Sequence, residues 1–403
     1  MKKIFILVII ISSLSVKSQD TLKICYYNIL DFPQMQSDRI DTLSKIIDYI
    51  KPDVFAVNEL TSYSGGVQIK NMMNTLGATN YASAVFYDGP DTDNLLFYNS
   101  DKLTLKSQTQ IPTVLRDISE YVLYYKNPNF PNVQDTTFIY FYSLHLKAGT
   151  QASDISKRFT EAEAFKNYLN NNNRNKNIIL GGDFNFYENT EPGCQEILNG
   201  GTLTLYDPVN KMGLWHNNYG YKLYHTQSTR VNMGYAGGSI GGMDDRFDFI
   251  FISNDIFYGS SGLQYIPSSY NAVGQDGLHY NGDIYIPTNN SVPNNIARAL
   301  FYMSDHIPVY MEVVIGGDVS IQEDNELVEA VFVNDNNKLI IKTNNDIKEL
   351  DLLISDLHGR VVLKKQYSNQ IEIVEDLNYL SKGMYILSFS SNNLVYSKKV
   401  VLN

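Results

Sequence analysis

Cysteine is nearly absent: the 403 residues contain two, Cys25 and Cys194. The fold is therefore not built on disulfides, even in a compartment that would allow them. Cys25 lies in the apolar run Leu22 to Leu30 and Cys194 in a loop without ligand-like neighbours, so both read as small hydrophobes. A Cys25–Cys194 bridge is the alternative, because connectivity does not follow from sequence. Long apolar runs are missing after the first residues. Met1-Lys2-Lys3, the run Ile4 to Leu14 and the small-residue site Val16-Lys17-Ser18 have the three regions of a secretory signal peptide. The run is shorter than the roughly 20 apolar residues a span requires. The expectation is a signal over residues 1–18, a mature chain starting near Gln19 or Asp20, and no transmembrane segment after cleavage. A basic excess is also missing. Lys and Arg number 32 against 43 Asp and Glu, and residues 19–317 carry 30 acidic against 20 basic side chains. That composition excludes tight, metal-free binding of a polyanion, where basic patches supply most of the affinity. It allows a metal-loaded site in which part of the negative charge is the ligand set.

The remaining sequence is rich in punctuated apolar runs, with no internal repeat. Leu22 to Leu30 and Asp53 to Leu60 read as buried strands. Between them Ile40, Leu43, Ile46, Ile47 and Ile50 recur at helical spacing, with Ser37 as N-cap and Pro52 as terminator. Thr137 to Leu146 reads as strand, Asp154 to Leu169 as helix and Ile178 to Leu180 as strand. Leu95 to Tyr98, Phe247 to Ile252 and Val309 to Val314 complete a mixed set of sheets covered by helices. The texture changes near Ile315-Gly316-Gly317-Asp318. Beyond it, seven short, evenly spaced strand-like runs between Val331 and Leu402 predict a small β-sandwich. The expected domains are 19–317, a linker over 318–330, and 331–403.

Four short stretches place an acid, amide or imidazole at the end of an apparent strand: Tyr27-Asn28, Asn58-Glu59, Gly181-Gly182-Asp183-Phe184-Asn185 and Ser304-Asp305-His306. Hydrolysis of a phosphodiester needs charge neutralisation, an activated water and a proton for the departing oxygen. Glu59 suits a hard cation such as Mg²⁺; an ordinary surface Glu is the competing reading. Asp183 suits the role of base and Asn185 that of steadying the water, the two pointing to one side of an extended segment; a plain Asx turn competes. His306 suits a phosphate contact or proton transfer. Asp248, in Arg246-Phe247-Asp248-Phe249, is a carboxylate on an apolar strand that requires a partner, and His306 is assigned to it, with backbone or Arg246 as the alternative. His145 interrupts the strand Ser143-Leu144-His145-Leu146, while His216, His225, His279 and His358 lack comparable settings.

Taken in order, Asn28, Glu59, Ser-Leu-His145-Leu, Gly-Gly-Asp183-Phe-Asn185, Arg-Phe-Asp248-Phe and Ser-Asp305-His306 resemble the endonuclease/exonuclease/phosphatase family over about residues 20 to 315. The resemblance implies a four-layer α/β/β/α sandwich, deoxyribonuclease I-like, with its site at one edge. It implies Glu59 as metal ligand with Asn28 and Asp305, and Mg²⁺ as the ion, with Mn²⁺ or Ca²⁺ as substitutes. It further implies Asp183 preparing the water, Asn185 orienting it, His145 and His306 on the scissile phosphate, and Asp248 behind His306. Asn28 is also placed near the phosphate. Arg116 looks like an arginine that some nuclease members use on phosphate, an ion pair with Asp117 being the alternative. Two departures stand out. Leu30 occupies a position where some members carry an acid, which speaks against a second metal site, and the carboxylate behind the first catalytic His is not evident, Asp93 being the candidate.

The tail resembles another module. Asp356-Leu357-His358-Gly359-Arg360-Val361-Val362, Leu380-Ser381-Lys382-Gly383-Met384-Tyr385 and Lys398-Lys399-Val400-Val401-Leu402 look like the type A sorting domain of the type IX secretion system. That implies an export address read by the secretion machinery, delivering the protein to the cell surface or outside; a substrate-binding sandwich is the rival. The leading expectation is a secreted metal-dependent phosphodiesterase acting on DNA. A phospholipid or sugar-phosphate enzyme is second, kept open by Tyr121 to Tyr125 and Tyr219 to Tyr224 as exposed aromatic loops. A non-catalytic surface or adhesion protein is third.

Overall fold

The first two strands, β1 (Asp20–Phe32) and β2 (Val54–Leu60), are parallel neighbours, and a parallel pair requires a crossover. Helix α1 (Arg39–Ile50) supplies it, burying Leu43, Ile46, Ile47 and Ile50 against the sheet. The computed structural model describes residues 20–36, 38–77, 79–126, 137–259, 261–315, 330–333, 337–347, 350–356, 361–368, 370–391 and 394–402. The expected signal over 1–18, the Ser37 cap and most of the expected linker lie outside these residues. The chain divides into two compact units, Met1–Asp318 and Val319–Asn403.

In the first unit, α2 (Tyr63–Thr75) follows β2. Then come β3 (Tyr81–Ser83), β4 (Asp93–Asn99), β5 (Leu103–Ile111), β6 (Ile118–Tyr125) and β7 (Phe138–His145). Helix α3 (Ala152–Asn171) crosses from β7 to its parallel neighbour β8 (Ile178–Asp183), repeating the β1-α1-β2 unit. Next are α4 (Pro192–Asn199), β9 (Leu205–Tyr206), β10 (Asp248–Ser253), α5 (Asn254–Tyr258), β11 (Leu263–Tyr265), β12 (Asn271–Ala272), α6 (Asn294–Met303) and β13 (Val309–Ile315). One sheet runs β11-β13-β1-β2-β4-β3, with β12 also on β13, and the other β5-β6-β7-β8-β10-β9.

Alternation along the strands builds the layers. In the second sheet, Ile139, Phe141, Ile179, Ile250 and Ile252 face the first sheet and share its core. Their neighbours Tyr142, Leu144, Ile178, Leu180, Phe249 and Phe251 turn the other way and pack with Phe165 of α3 and Ile197 of α4. Helices α1, α2 and α6 cover the outer face of the first sheet. The result is the four-layer α/β/β/α sandwich that the resemblance implies. Two local expectations are corrected. Cys194 sits in α4, not a loop, and both cysteines are free and buried. Tyr121 to Tyr125 is strand β6, with Tyr121 fully buried, because β5 and β7 flank it on both edges. The expected surface loop there does not exist.

The second unit is all β. A three-stranded sheet joins β14 (Ala330–Val333), β15 (Lys338–Ile347) and β18 (Gln370–Asp376). A four-stranded sheet runs β17 (Val361–Tyr367), β16 (Leu350–Asp356), β19 (Gly383–Ser391), β20 (Leu394–Leu402). Leu339, Ile341, Leu352, Ile354, Ile373 and Leu387 form its core. Among the described residues, no helix is long and apolar enough to cross a membrane.

Candidate active site

Both parallel pairs end at the same edge, so the carboxyl ends of β1 and β2 meet those of β7 and β8. The first pair is bent there. Ladder register breaks between Asn28 and Phe32 on β1, and between Val57 and Leu60 where β2 meets β4. Leu30, Asp31 and Glu59 adopt positive φ (48°, 45° and 59°), which side chains of this kind accept only when their surroundings hold them. Hydrogen bonds do so: Leu30 N donates to Asn28 Oδ1 (3.0 Å) and Asp31 N to Glu59 Oε2 (3.2 Å). Asn28 Nδ2 then donates to Glu59 Oε1 (2.8 Å) and to Asp183 Oδ2 (3.1 Å), tying the two sheets' carboxylates together.

On the second pair, the glycines before Asp183 are a packing requirement. A Cβ at Gly181 would lie 2.5 Å from the Tyr26 ring. At Gly182, φ is +135° and a Cβ would meet the Leu144 carbonyl oxygen at 2.0 Å. Strand β8 ends at Asp183. Asn185 lies beyond it with φ +52°, its N–H donating to Asp183 Oδ1 (3.0 Å), so the segment is an Asx turn and not extended chain. The Asn185 amide donates to the Leu146 carbonyl (3.1 Å). His145, at the end of β7, places Nε2 3.6 Å from Asp183 and 3.8 Å from Glu59.

The third contribution comes from the segment between α6 and β13. Ser304 Oγ donates to the Asn28 carbonyl (2.8 Å), and buried Arg39 of α1 donates to the Met303 carbonyl through Nε (3.1 Å) and Nη2 (2.6 Å). His306 is thereby fixed with Nδ1 2.7 Å from Asp248 Oδ2 of β10 and Nε2 3.5 Å from Asp183. Asp305 Oδ2 accepts from the Ser239 N–H (2.6 Å). Arg116 pairs with Asp91 (2.8 Å) instead of Asp117, and its Nε and Nη1 are buried without a hydrogen-bond partner among the described residues. Asp93 accepts from the Gly89 N–H and not from His145, whose Nδ1 has no hydrogen-bond partner among the described residues.

Burial pushes Glu59 up to about 7, with the negative charge of Asp305 adding to it. Asp183 is likewise pushed up to about 7 by burial, further raised by Asp248 and Glu59 and pulled back by His306. The two imidazoles diverge. Burial drives His145 well below the ordinary value, aided by the charges of Arg116 and His306. For His306 burial acts the same way, but Asp248, Asp183 and Asp305 together outweigh it and hold the ring well above the ordinary value. At neutral pH His145 is neutral and His306 an imidazolium. Ligand atoms of Glu59, His145 and Asp183 all lie within 4.8 Å of one another. One half-buried and one buried carboxylate, both raised by desolvation and neighbouring negative charge, beside a neutral imidazole, suit a divalent cation, which would relieve that repulsion. Asn28 turns its oxygen to Leu30 and its N–H₂ to the carboxylates, so in this geometry it holds ligands together.

Several contributors carry no motif. Asn58 Nδ2 donates to Asn94 Oδ1 (2.6 Å) and Ser143 Oγ (3.1 Å), and Asn94 Nδ2 to the Ser143 carbonyl (3.1 Å), a polar bridge between the sheets. The Gln227 side-chain amide lies 2.6 Å from His306 Nε2, and with that ring protonated the amide oxygen is the atom that accepts there. His216 Nδ1 lies 2.6 Å from Asp245 Oδ1. Polar residues in otherwise apolar strands signal the Asn58 bridge, and Gln227 and Asp245 lie in the distinctive runs Thr226 to Arg230 and Gly241 to Arg246, although neither run shows what its residues contact.

Comparison with known proteins separates the two units. Residues 335–403 match the family model of the secretion system C-terminal sorting domain. No curated protein matches the chain. Among solved structures, D. rerio TDP2 complexed with a single-strand DNA product is 15% identical, at TM-score 0.47, covering 73% of this chain and 98% of that one. The human Nocturnin catalytic domain with bound sulfate is 16% identical, at TM-score 0.46, covering 73% and 97%. An endonuclease/exonuclease/phosphatase from Bacteroides vulgatus is 13% identical, at TM-score 0.45, covering 73% and 98%.

Proposed function

We propose that residues 19–317 form a Mg²⁺-dependent phosphodiesterase, Mn²⁺ or Ca²⁺ substituting, whose substrate is extracellular DNA. The observation that carries this reading is the Asp248–His306–Asp183 line, 2.7 Å and 3.5 Å, with His145 and Glu59 beside Asp183. Asp183, raised to about 7, accepts a proton from the attacking water near neutral pH. Asn185 orients that water. His306, charged and braced by Asp248, gives a proton to the departing oxygen, and neutral His145 contacts the phosphate. A cation held by Glu59, with Asp305 as a further ligand and Asn28 holding the Glu59 carboxylate in place, would supply the charge neutralisation that the acidic chain lacks. Arg116 adds positive charge beside it.

The domain limits in this proposal are 1–18 as signal, 19–317 as catalytic domain, 318–330 as linker and 331–403 as sorting domain. The match over residues 335–403 supports delivery by type IX secretion to the cell surface or beyond. A phospholipid or sugar phosphate is the second substrate class, and the exposed Tyr219 turn is what favours it. The intact set of acids and imidazoles argues against a non-catalytic surface protein. The test is nicking of supercoiled plasmid with Mg²⁺ or chelator, beside sphingomyelin and a chromogenic phosphodiester. Asp183→Ala and His306→Ala are each expected to lose about 10³-fold or more while unfolding near the wild-type temperature. Wild-type rates in either variant would remove that residue from the mechanism.

A further inference from the structure

His216 and Asp245 form a second imidazole–carboxylate pair at the rim of the site, and no role described above uses it. Asp245 is buried, and its Oδ1 lies 2.6 Å from His216 Nδ1. The His216 side chain is 46% exposed, so the ring is held from behind while its far edge meets solvent. This is how an imidazole is oriented when its other nitrogen contacts a ligand.

Two links place the pair beside the reacting groups. Gln227 bridges Asp245 and His306 through its backbone and also reaches His306 Nε2 with its side chain. Tyr187, two residues beyond Asn185, packs its ring edge-on to His216 with centroids 5.0 Å apart, and its carbonyl accepts from the His216 N–H (3.3 Å). Electrostatics agree with this placement. Asp245, raised to about 6 chiefly by burial, is pulled back by His216 and by His306, and Tyr187 is affected by Asp183. Asp244, half-buried, flanks the same ring; burial raises its carboxyl and His216 opposes that rise.

Asp245 and Gln227 link His216 to His306 in series, and among the described residues the two rings make no direct contact. We propose that His216, held by Asp245, contacts the phosphate next to the scissile one on a strand with consecutive phosphodiesters. This rests on the hydrolase reading above and narrows its substrate class to a nucleic-acid strand, since a phospholipid offers no second backbone phosphate. In an acidic domain, a solvent-facing donor just outside the reaction centre gives the flanking phosphate a partner without adding a basic patch.

The test uses the full chain with Mg²⁺ on two substrates: a single-stranded DNA decamer and thymidine 5′-(p-nitrophenyl) phosphate, which has one phosphodiester. For His216→Ala, KM for the decamer is expected to rise about five-fold or more with kcat within two-fold, while kcat/KM for the nitrophenyl ester changes less than two-fold. Asp245→Asn, a positioning variant, is expected to give the same selective pattern, and His216→Lys to recover part of the decamer KM. Parallel losses on both substrates, or no change on the decamer, would overturn the proposal and leave the hydrolase reading intact. Absence of wild-type turnover on both would overturn both.

Discussion

His145, at the end of β7, and His306, between α6 and β13, converge on Asp183 and are prepared in opposite ways. His306 is wedged between Asp248 and Asp183, and three carboxylates overcome its burial. Among the described residues His145 has no hydrogen-bond partner on Nδ1, and two positive groups, Arg116 and His306, add to its desolvation. Equal burial thus gives unequal protonation, decided by which charges stand behind each ring. A site of this kind holds a proton donor and a neutral contact a few ångströms apart at one pH.

The sharpest way to break the contrast is to remove the charge behind His306. Asp248→Asn is expected to cost about 10²- to 10⁴-fold in kcat, because the ring loses both its orienting acceptor and the charge that keeps it protonated. Losing that anion lowers the His306 pKa, so the alkaline limb of the kcat profile should move to lower pH. His145→Gln should cost about 10²-fold and leave that limb in place. An unmoved limb in Asp248→Asn, or a moved one in His145→Gln, would erase the distinction between the rings.

A smaller effect appears in stability. Glu59 is about 7 in the folded state against an ordinary 4.5. Between those values the folded protein binds more protons than the unfolded one, so stability falls as pH rises through that window. The cost by pH 8 is at most about 3 kcal/mol. In chelator, Glu59→Gln should therefore gain on wild type between pH 4 and pH 8; a constant difference across that range would contradict the raised carboxyl. The smallest expected effect on chemistry comes from the other unit. Deleting residues 325–403 should leave specific activity unchanged and hold the enzyme in the cell envelope, and normal export of the shortened chain would refute the address.

Much of this was legible in the sequence where one periodicity dominated. Ile40 to Ile50 had a clean helical stripe, and the tail's strands stand close to their expected positions because turn residues separate them. Helix α2 escaped notice because Gly65 and Gly66 break its pattern, and those glycines are there because Pro33, Leu60 and Leu95 pack where side chains would project. In the site, acids at strand ends were visible, but the αL backbone at Leu30, Asp31 and Glu59 was not, since none of these residues signals it. Between Asp183 and Asn185 the structure takes the Asx turn that competed with the extended pairing. His216 was passed over because its meaning depends on Asp245, 29 residues away in the chain.

The amides of Asn58 and Asn94 pin one sheet to the other directly beneath the reacting groups. Each sheet owns only part of the machinery, so slippage at that pin would scatter the donors while every helix and strand stayed intact. Turnover should therefore fade on warming before circular dichroism registers any melting, and the gap between the two curves should widen in Asn58→Ala.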